Sequence, residues 1–333
     1  MPHFIRAGVR PQWLVVPYRG HIDPRSYPVE GGSEWRLGPG LDNDQPARGI
    51  MFVMDESTIR SGMPFSLDDR TQGRAFDDRR SLQAKLEDIS PSLVRRFLHQ
   101  VRSDILNVAP PVSDYDLYRK LRIVLPINGH EVPRNVALLF FNEDPDRFFP
   151  GARIEVVRFR DDAGGDLFDE HVFRGPLPEQ IRMTLQQLTI VSGELVRKVP
   201  EQAEAERSFA YPIPALEEAV VNAVYHRGYD GPPEPSKVYI YPDRIEIINY
   251  PGLVAGVRLE QLQTGHLGPV APARNRRIGE FFKELRLAEA RGTGIPKIRR
   301  KMKANGSPEP RFDLDDDRTY YRTTLPIHPE HLE

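Results

Sequence analysis

Thirty-two prolines are scattered through 333 residues. Each proline fixes φ and removes a backbone donor, so helix interiors and central strands tolerate few of them. The chain is thereby restricted to short elements joined by turns, which excludes long coiled coils and solenoid arrays; no internal repeat is present. The length exceeds that of one usual domain, and two or three compact units are expected. Cysteine is absent, which excludes disulfides, thiolate zinc sites, iron–sulfur clusters and cysteine nucleophiles. A reducing, cytoplasmic setting is expected from the same absence. A net charge of −2 gives no case for a globally basic nucleic-acid binder and leaves only local patches to consider. The longest early apolar run, Trp13 to Val16, is too short for a signal-peptide core or a membrane span, so no membrane association is expected.

Along the chain, residues 1–74 are rich in Gly, Pro, Arg and Asp, with strand candidates at Trp13 to Val16 and Ile50 to Met54. This reads as a small β-rich region. Residues 75–204 form an α/β middle region. Helical spacing runs from Ser81 to Leu106, with Pro91 opening a second helix, and strand-like runs follow at Val136 to Phe141, Arg153 to Phe159 and His171 to Phe173. Pro178 to Val196 has amphipathic helical spacing. Residues 205–333 are the best marked. Pro214 sits in a first helical turn, and Leu216, Ala219, Val220, Ala223 and Val224 form an apolar stripe at helical intervals. Strands Val238 to Tyr241 and Arg244 to Ile248 flank Pro242-Asp243 as a hairpin, and Asn249-Tyr-Pro-Gly252 stops the second. A helix over Arg277 to Leu287, the turn Gly292-Thr293-Gly294, a helix over Ile295 to Ala304 and a strand over Tyr320 to Ile327 complete the region.

On the helix after Pro214, Glu218 and Asn222 lie four residues apart and share one face, opposite the apolar stripe. A carboxylate that orients a water, beside an amide oxygen that ligates Mg²⁺, suits that spacing. An isolated Glu-x-x-x-Asn is far more often a solvated helix face. Glycine turns let backbone approach a ligand, and amides at a helix N-terminus favour phosphate oxygens, yet a lone Gly-Thr-Gly is usually a helix cap. From Arg274 to Lys303, eleven Lys or Arg stand against three Glu, a net +8. Such a stretch could hold triphosphate or a nucleic-acid backbone, or be a pair of solvated helices. No His-Glu-x-x-His spacing or Gly-x-Ser-x-Gly elbow occurs, and Asp313 to Asp317 reads as an acidic hairpin turn. Phe140, Phe141, Phe148 and Phe149 read as core.

The runs PALEEAVVNAVYHRGYD (Pro214 to Asp230), YPDRIEIINYPGLVAG (Tyr241 to Gly256), ARNRRIGEFF (Ala273 to Phe282) and AEARGTGIPKI (Ala288 to Ile298) occur in this order. Together they resemble a bacterial and archaeal family of transcriptional regulators. Its members pair a Schlafen-like, AlbA-type DNA-binding domain with a RecG-helicase-C-terminal-like segment, similar to a divergent GHKL ATPase of the gyrase, chaperone, histidine-kinase and mismatch-repair class. RNVALLFFNEDPDRFFPGARIEVVRF (Arg134 to Phe159), VFRGPLPEQI (Val172 to Ile181) and AFDDR (Ala75 to Arg79) extend the resemblance upstream.

By this resemblance Glu218 is the general base and Asn222 the Mg²⁺ ligand. Asn249 stands where related ATPases carry an adenine-reading aspartate, and Gly252, Gly256, Gly292, Thr293 and Gly294 shape the adenine and phosphate walls. Arg274, Asn275 and Arg277 fall where the lid and its phosphate contacts lie. Two departures stand out. Asn249 carries no charge, and the usual His-Arg-Asp-Tyr reads His226-Arg227-Gly228-Tyr229-Asp230. The early Glu-rich helix of Schlafen-like domains is not found, so residues 1–74 are a divergent or reduced version. The resemblance thus implies an α/β (α+β) protein with a C-terminal GHKL-like sandwich of helices on a mixed sheet. It would bind ATP and Mg²⁺, act as a nucleotide-dependent switch and be a weak ATPase at most. Partners would be DNA, through Arg274 to Lys303, and a protein partner or a second copy in a homodimer. The alternatives are a non-catalytic DNA-binding regulator with a vestigial pocket and a Schlafen-like nuclease or defence-system subunit.

Overall fold

Alternation of buried and half-exposed residues along Ser236-Lys237-Val238-Tyr239-Ile240 makes this segment a strand with one face on a core. The computed structural model describes residues 12–16, 35–36, 50–54, 74–81, 83–127, 129–198, 206–254, 257, 259–264, 273–287 and 294–332. The chain divides into two units, Met1–Arg70 and Thr71–Glu333. In the first, strands β1 (Gln12–Val16), β2 (Trp35–Arg36) and β3 (Ile50–Met54) form an antiparallel sheet in the order β1-β3-β2.

The second unit is built on a mixed sheet. Strands β10 (Ser236–Ile240) and β11 (Arg244–Asn249) form the hairpin expected around Pro242-Asp243, with Val238 opposite Ile247. Strand β6 (Ile154–Phe159) lies parallel to β10, and β7 (Leu167–Phe173) runs antiparallel outside it. On the other side, β13 (Tyr321–Pro326) pairs with β11 and β12 (Arg311–Leu314) forms the edge. The order is β12-β13-β11-β10-β6-β7. Ile154, Val156, Val238, Ile240, Ile245, Ile247 and Leu325 are buried. Phe159, Tyr239 and Tyr241 cluster on the opposite face, where the Arg244 guanidinium lies 3.8 Å from the Tyr241 ring centre.

The helices α4 (Leu177–Val191), α5 (Ile213–His226) and α8 (Gly294–Asn305) form a layer in which α5 is central, touching α4, α8 and β11. Around them lie α1 (Pro91–Gln100), α2 (Asp114–Lys120), α3 (Asn135–Phe141), α6 (Leu259–Thr264) and α7 (Arg276–Glu284), with a hairpin of β4 (Val124–Ile127) and β5 (His130–Pro133). Phe97, Phe140, Phe141, Phe281 and Phe282 join α1, α3 and α7 through ring contacts of 4.9 to 5.6 Å between centres. The helices-on-mixed-sheet α/β architecture expected from sequence is present. No helix among the described residues is long and apolar enough to cross a membrane.

Several element boundaries differ from expectation. Val136 to Phe141 is helical, not a strand: every residue of α3 is buried, and an apolar run buried all round carries no periodicity to separate the two states. Between Ser81 and Pro91 the described residues form a 3-10 turn, Leu86–Asp88, in place of the expected helix. Helix α4 stops at Val191 because Ser192-Gly193 ends it, and Glu194–Arg197 becomes strand β8, paired with β9 (Glu206–Phe209). The sheet crosses the anticipated division at residue 204, since β6 and β7 precede it and the other four strands follow it.

Candidate functional site

Helix α5 begins behind Pro212, with Pro214 in its first turn. Ala215, Leu216, Ala219, Val220, Ala223 and Val224 are buried, as the stripe requires. The face bearing Glu218 and Asn222, expected to lie outside the core opposite the apolar stripe, is not a solvated helix face. Helix α8 covers it, leaving Glu218 only 9% exposed. Gly294, the first residue of α8, makes that approach possible: a Cβ there would sit 2.6 Å from both Glu218 Oε1 and Asn222 Nδ2. The Asn222 amide donates to Glu218 Oε1 at 3.4 Å, and Lys297 Nζ of α8 pairs with Glu218 Oε2 at 2.9 Å. Acid, amide and Gly294 are thus brought together. Gly292 and Thr293, like Gly256, lie outside the described residues.

Asn249 closes β11 opposite Tyr321, on the face shared with Ile245 and Ile247, and is 2% exposed. The following loop turns at Gly252, whose amide donates to the Arg318 carbonyl at 2.7 Å. A Cβ at Gly252 would lie 2.8 Å from the carbonyl oxygens of Arg318 and Tyr320, so close backbone packing explains this glycine.

Arg274 and Asn275 precede α7 and hold the two walls together. Arg274 donates to the carbonyls of His226 (3.0 Å), Pro251 (3.4 Å) and Gly252 (2.8 Å), and burial lowers its pKa. The Asn275 amide donates to the carbonyls of Tyr225 and Arg227, at 2.8 and 2.7 Å. These are carbonyls a helix leaves unpaired at its C-terminus. Arg277, the third basic-stretch residue singled out, pairs with Asp78 and Glu280 and donates to the Leu121 carbonyl.

Gly228, where the related motif carries Asp, lies beneath Pro251: a Cβ would be 2.5 Å from the proline ring. Asp230, two residues further on, reaches Arg79 at 3.4 Å. Two further residues escaped sequence reasoning. Asp77 in the AFDDR run is fully buried and accepts from the Ile278 amide at 2.8 Å, anchoring the start of α7. Burial pushes its carboxyl up to about 6. Lys297 was counted in the basic stretch but not distinguished within it; a lysine in the first turn of a helix runs against the helix dipole, and that was the available signal.

Residues 234–323 match the family model HATPase_c_4, described as "Putative ATP-dependent DNA helicase recG C-terminal". No curated protein matches the chain. Among solved structures, the DIP2311 protein from Corynebacterium diphtheriae superposes with a TM-score of 0.60 at 20% identity, over 78% of this chain and 49% of that one. This chain therefore spans about half the length of that protein, and the likeness concerns the fold. The family match begins after α5 and does not cover Glu218 or Asn222. On these grounds residues 234–323 carry an ATPase-like domain.

Proposed function

We propose that ATP with Mg²⁺ binds where α5, α8 and the end of β11 meet, and that nucleotide serves as a conformational signal more than as a fuel. The observation that carries this reading is the approach of Gly294 to Glu218 and Asn222, within a chain whose following segment matches an ATPase-like family. The side chains present fit such a ligand. Asn222 offers a neutral amide oxygen beside a carboxylate, which suits a magnesium ion that takes most of its other ligands from phosphate and water. Among the described residues no cluster of three His, Cys, Asp or Glu could hold a metal by itself, so the phosphates would supply the remaining protein-independent ligands.

In this reading Asn222 holds the ion, which would neutralise phosphate charge. Asn249 accepts from the adenine amino group, Gly294 lets α8 close on Glu218 and Asn222, and Gly252, Gly256, Gly292 and Thr293 would shape the adenine and phosphate walls. Arg274 and Asn275 keep those walls at a fixed separation through their carbonyl hydrogen bonds. Slow hydrolysis needs one more step: Glu218 accepts a proton from water as the water oxygen bonds to the γ-phosphorus and the bond to the β–γ bridging oxygen breaks, releasing ADP. The test is Glu218→Ala, which should abolish Mg²⁺-dependent phosphate release while ATP still binds. Phosphate release at the wild-type rate would remove the base assignment.

Nucleotide occupancy would change how the chain meets a macromolecular partner, DNA or a protein. DNA binding has one observation in its favour: Arg300, Lys301 and Lys303 are exposed on α8, whereas Arg274 and Arg277 are engaged internally. Salt-sensitive duplex binding should be lost in a triple Ala variant of these three and survive Arg276→Ala. Equal loss in both would favour diffuse charge over an α8 contact.

A further inference from the structure

Among the described residues Lys297 is the lysine whose ammonium reaches the proposed base, and its position asks for an explanation. It lies in the first turn of α8, where the helix dipole disfavours a cation. It is largely buried, and it ties up Glu218 Oε2 at 2.9 Å while Asn222 Nδ2 faces Oε1. Both oxygens are thus engaged, one of them by an ammonium that lowers the carboxylate's affinity for a proton. A base in this arrangement is restrained.

We infer that Lys297 is a phosphate-sensing latch: in the nucleotide-free protein it holds the Glu218 carboxylate, and phosphate oxygens of a bound nucleoside triphosphate compete for the same ammonium and release it. This inference rests on the nucleotide reading above and adds a positioning residue to it. The physical basis is competition between anions for one cation. A single carboxylate carries one negative charge, whereas a triphosphate retains net negative charge even with Mg²⁺ bound, and a shielded ammonium follows the stronger anion. The latch makes the base available only when phosphate is present. It also makes Lys297 and Glu218 act on affinity in opposite directions, because one residue attracts the phosphate and the other competes with it.

The experiment is calorimetric titration of the full chain with ATP, ADP and adenosine in the presence of Mg²⁺, comparing wild type, K297M, K297R and E218Q. The latch predicts at least tenfold weaker ATP binding in K297M, most of it restored in K297R, with adenosine affinity unchanged. It also predicts ATP binding several-fold tighter in E218Q, since the internal competitor is gone. A lysine that only supports packing would weaken all three ligands together and leave E218Q without gain. Unchanged ATP affinity in K297M, or equal loss for ATP and adenosine, overturns the latch while leaving the nucleotide site standing. A wild-type chain that binds no ATP overturns the site reading itself, and the latch with it.

Discussion

Asp77 shows how much one buried side chain can control. It is fully buried, its Oδ2 accepts from the Ile278 amide, and its Oδ1 meets no geometric hydrogen-bond partner among the described residues. Desolvation dominates, raising the carboxyl from an ordinary 3.8 to about 6. A carboxyl that holds its proton more tightly when folded loses stability as pH rises from about 4 to about 6, and the difference amounts to ~3 kcal/mol by neutrality. Asp77→Asn should therefore flatten the dependence of melting temperature on pH across that window; an unaltered slope in chemical or thermal denaturation would show that Asp77 does not titrate there. Nothing in AFDDR as a string distinguishes Asp77 from Asp78. Asp78 instead pairs with Arg134 near the surface, and only the packing of α7 separates the two. Glu218 and Asn222 were legible because their spacing survives in any helix. Lys297 was not, because its meaning depends on α8 reaching α5.

The elements differ in what their glycines protect, and this can be measured. At Gly294 a methyl group would meet the ends of two flexible side chains, Glu218 and Asn222. At Gly252 it would meet the backbone carbonyls of Arg318 and Tyr320, which cannot step aside. Gly294→Ala should thus cost about 1 kcal/mol of stability or less yet impair nucleotide binding, whereas Gly252→Ala should cost ~1–3 kcal/mol. Urea denaturation of both variants would separate these outcomes; equal losses would contradict the assignment of Gly294 to the site. Arg274→Ala leaves the carbonyls of His226, Pro251 and Gly252 short of a donor and should destabilise by ~1–3 kcal/mol even without ligand. An apo stability equal to wild type would return Arg274 to the role of a phosphate contact. Strands with clear alternation, β10 and β11, and the amphipathic helix α5 were readable from sequence. Helix α3 was not, since seven buried residues in a row leave no solvent-facing position to reveal a period.

Across the whole molecule, the sheet is what ties the regions after Thr71 together. Parallel pairing of β6 with β10 places strands from the middle region beside the hairpin that leads to Asn249. This non-local pairing could not be read from local patterns, which is why a boundary near residue 204 was expected. The proposal is nevertheless local: a nucleotide and its magnesium would bind where α5, α8 and the end of β11 meet. Calorimetric titration of ATP with and without Mg²⁺, in wild type and Asn222→Ala, tests it most directly. Binding by wild type that tightens with Mg²⁺, and an Asn222→Ala variant that keeps Mg²⁺-free binding but loses the tightening, is the expected result. No heat of ATP binding to wild type, or a magnesium effect undiminished in Asn222→Ala, would contradict it.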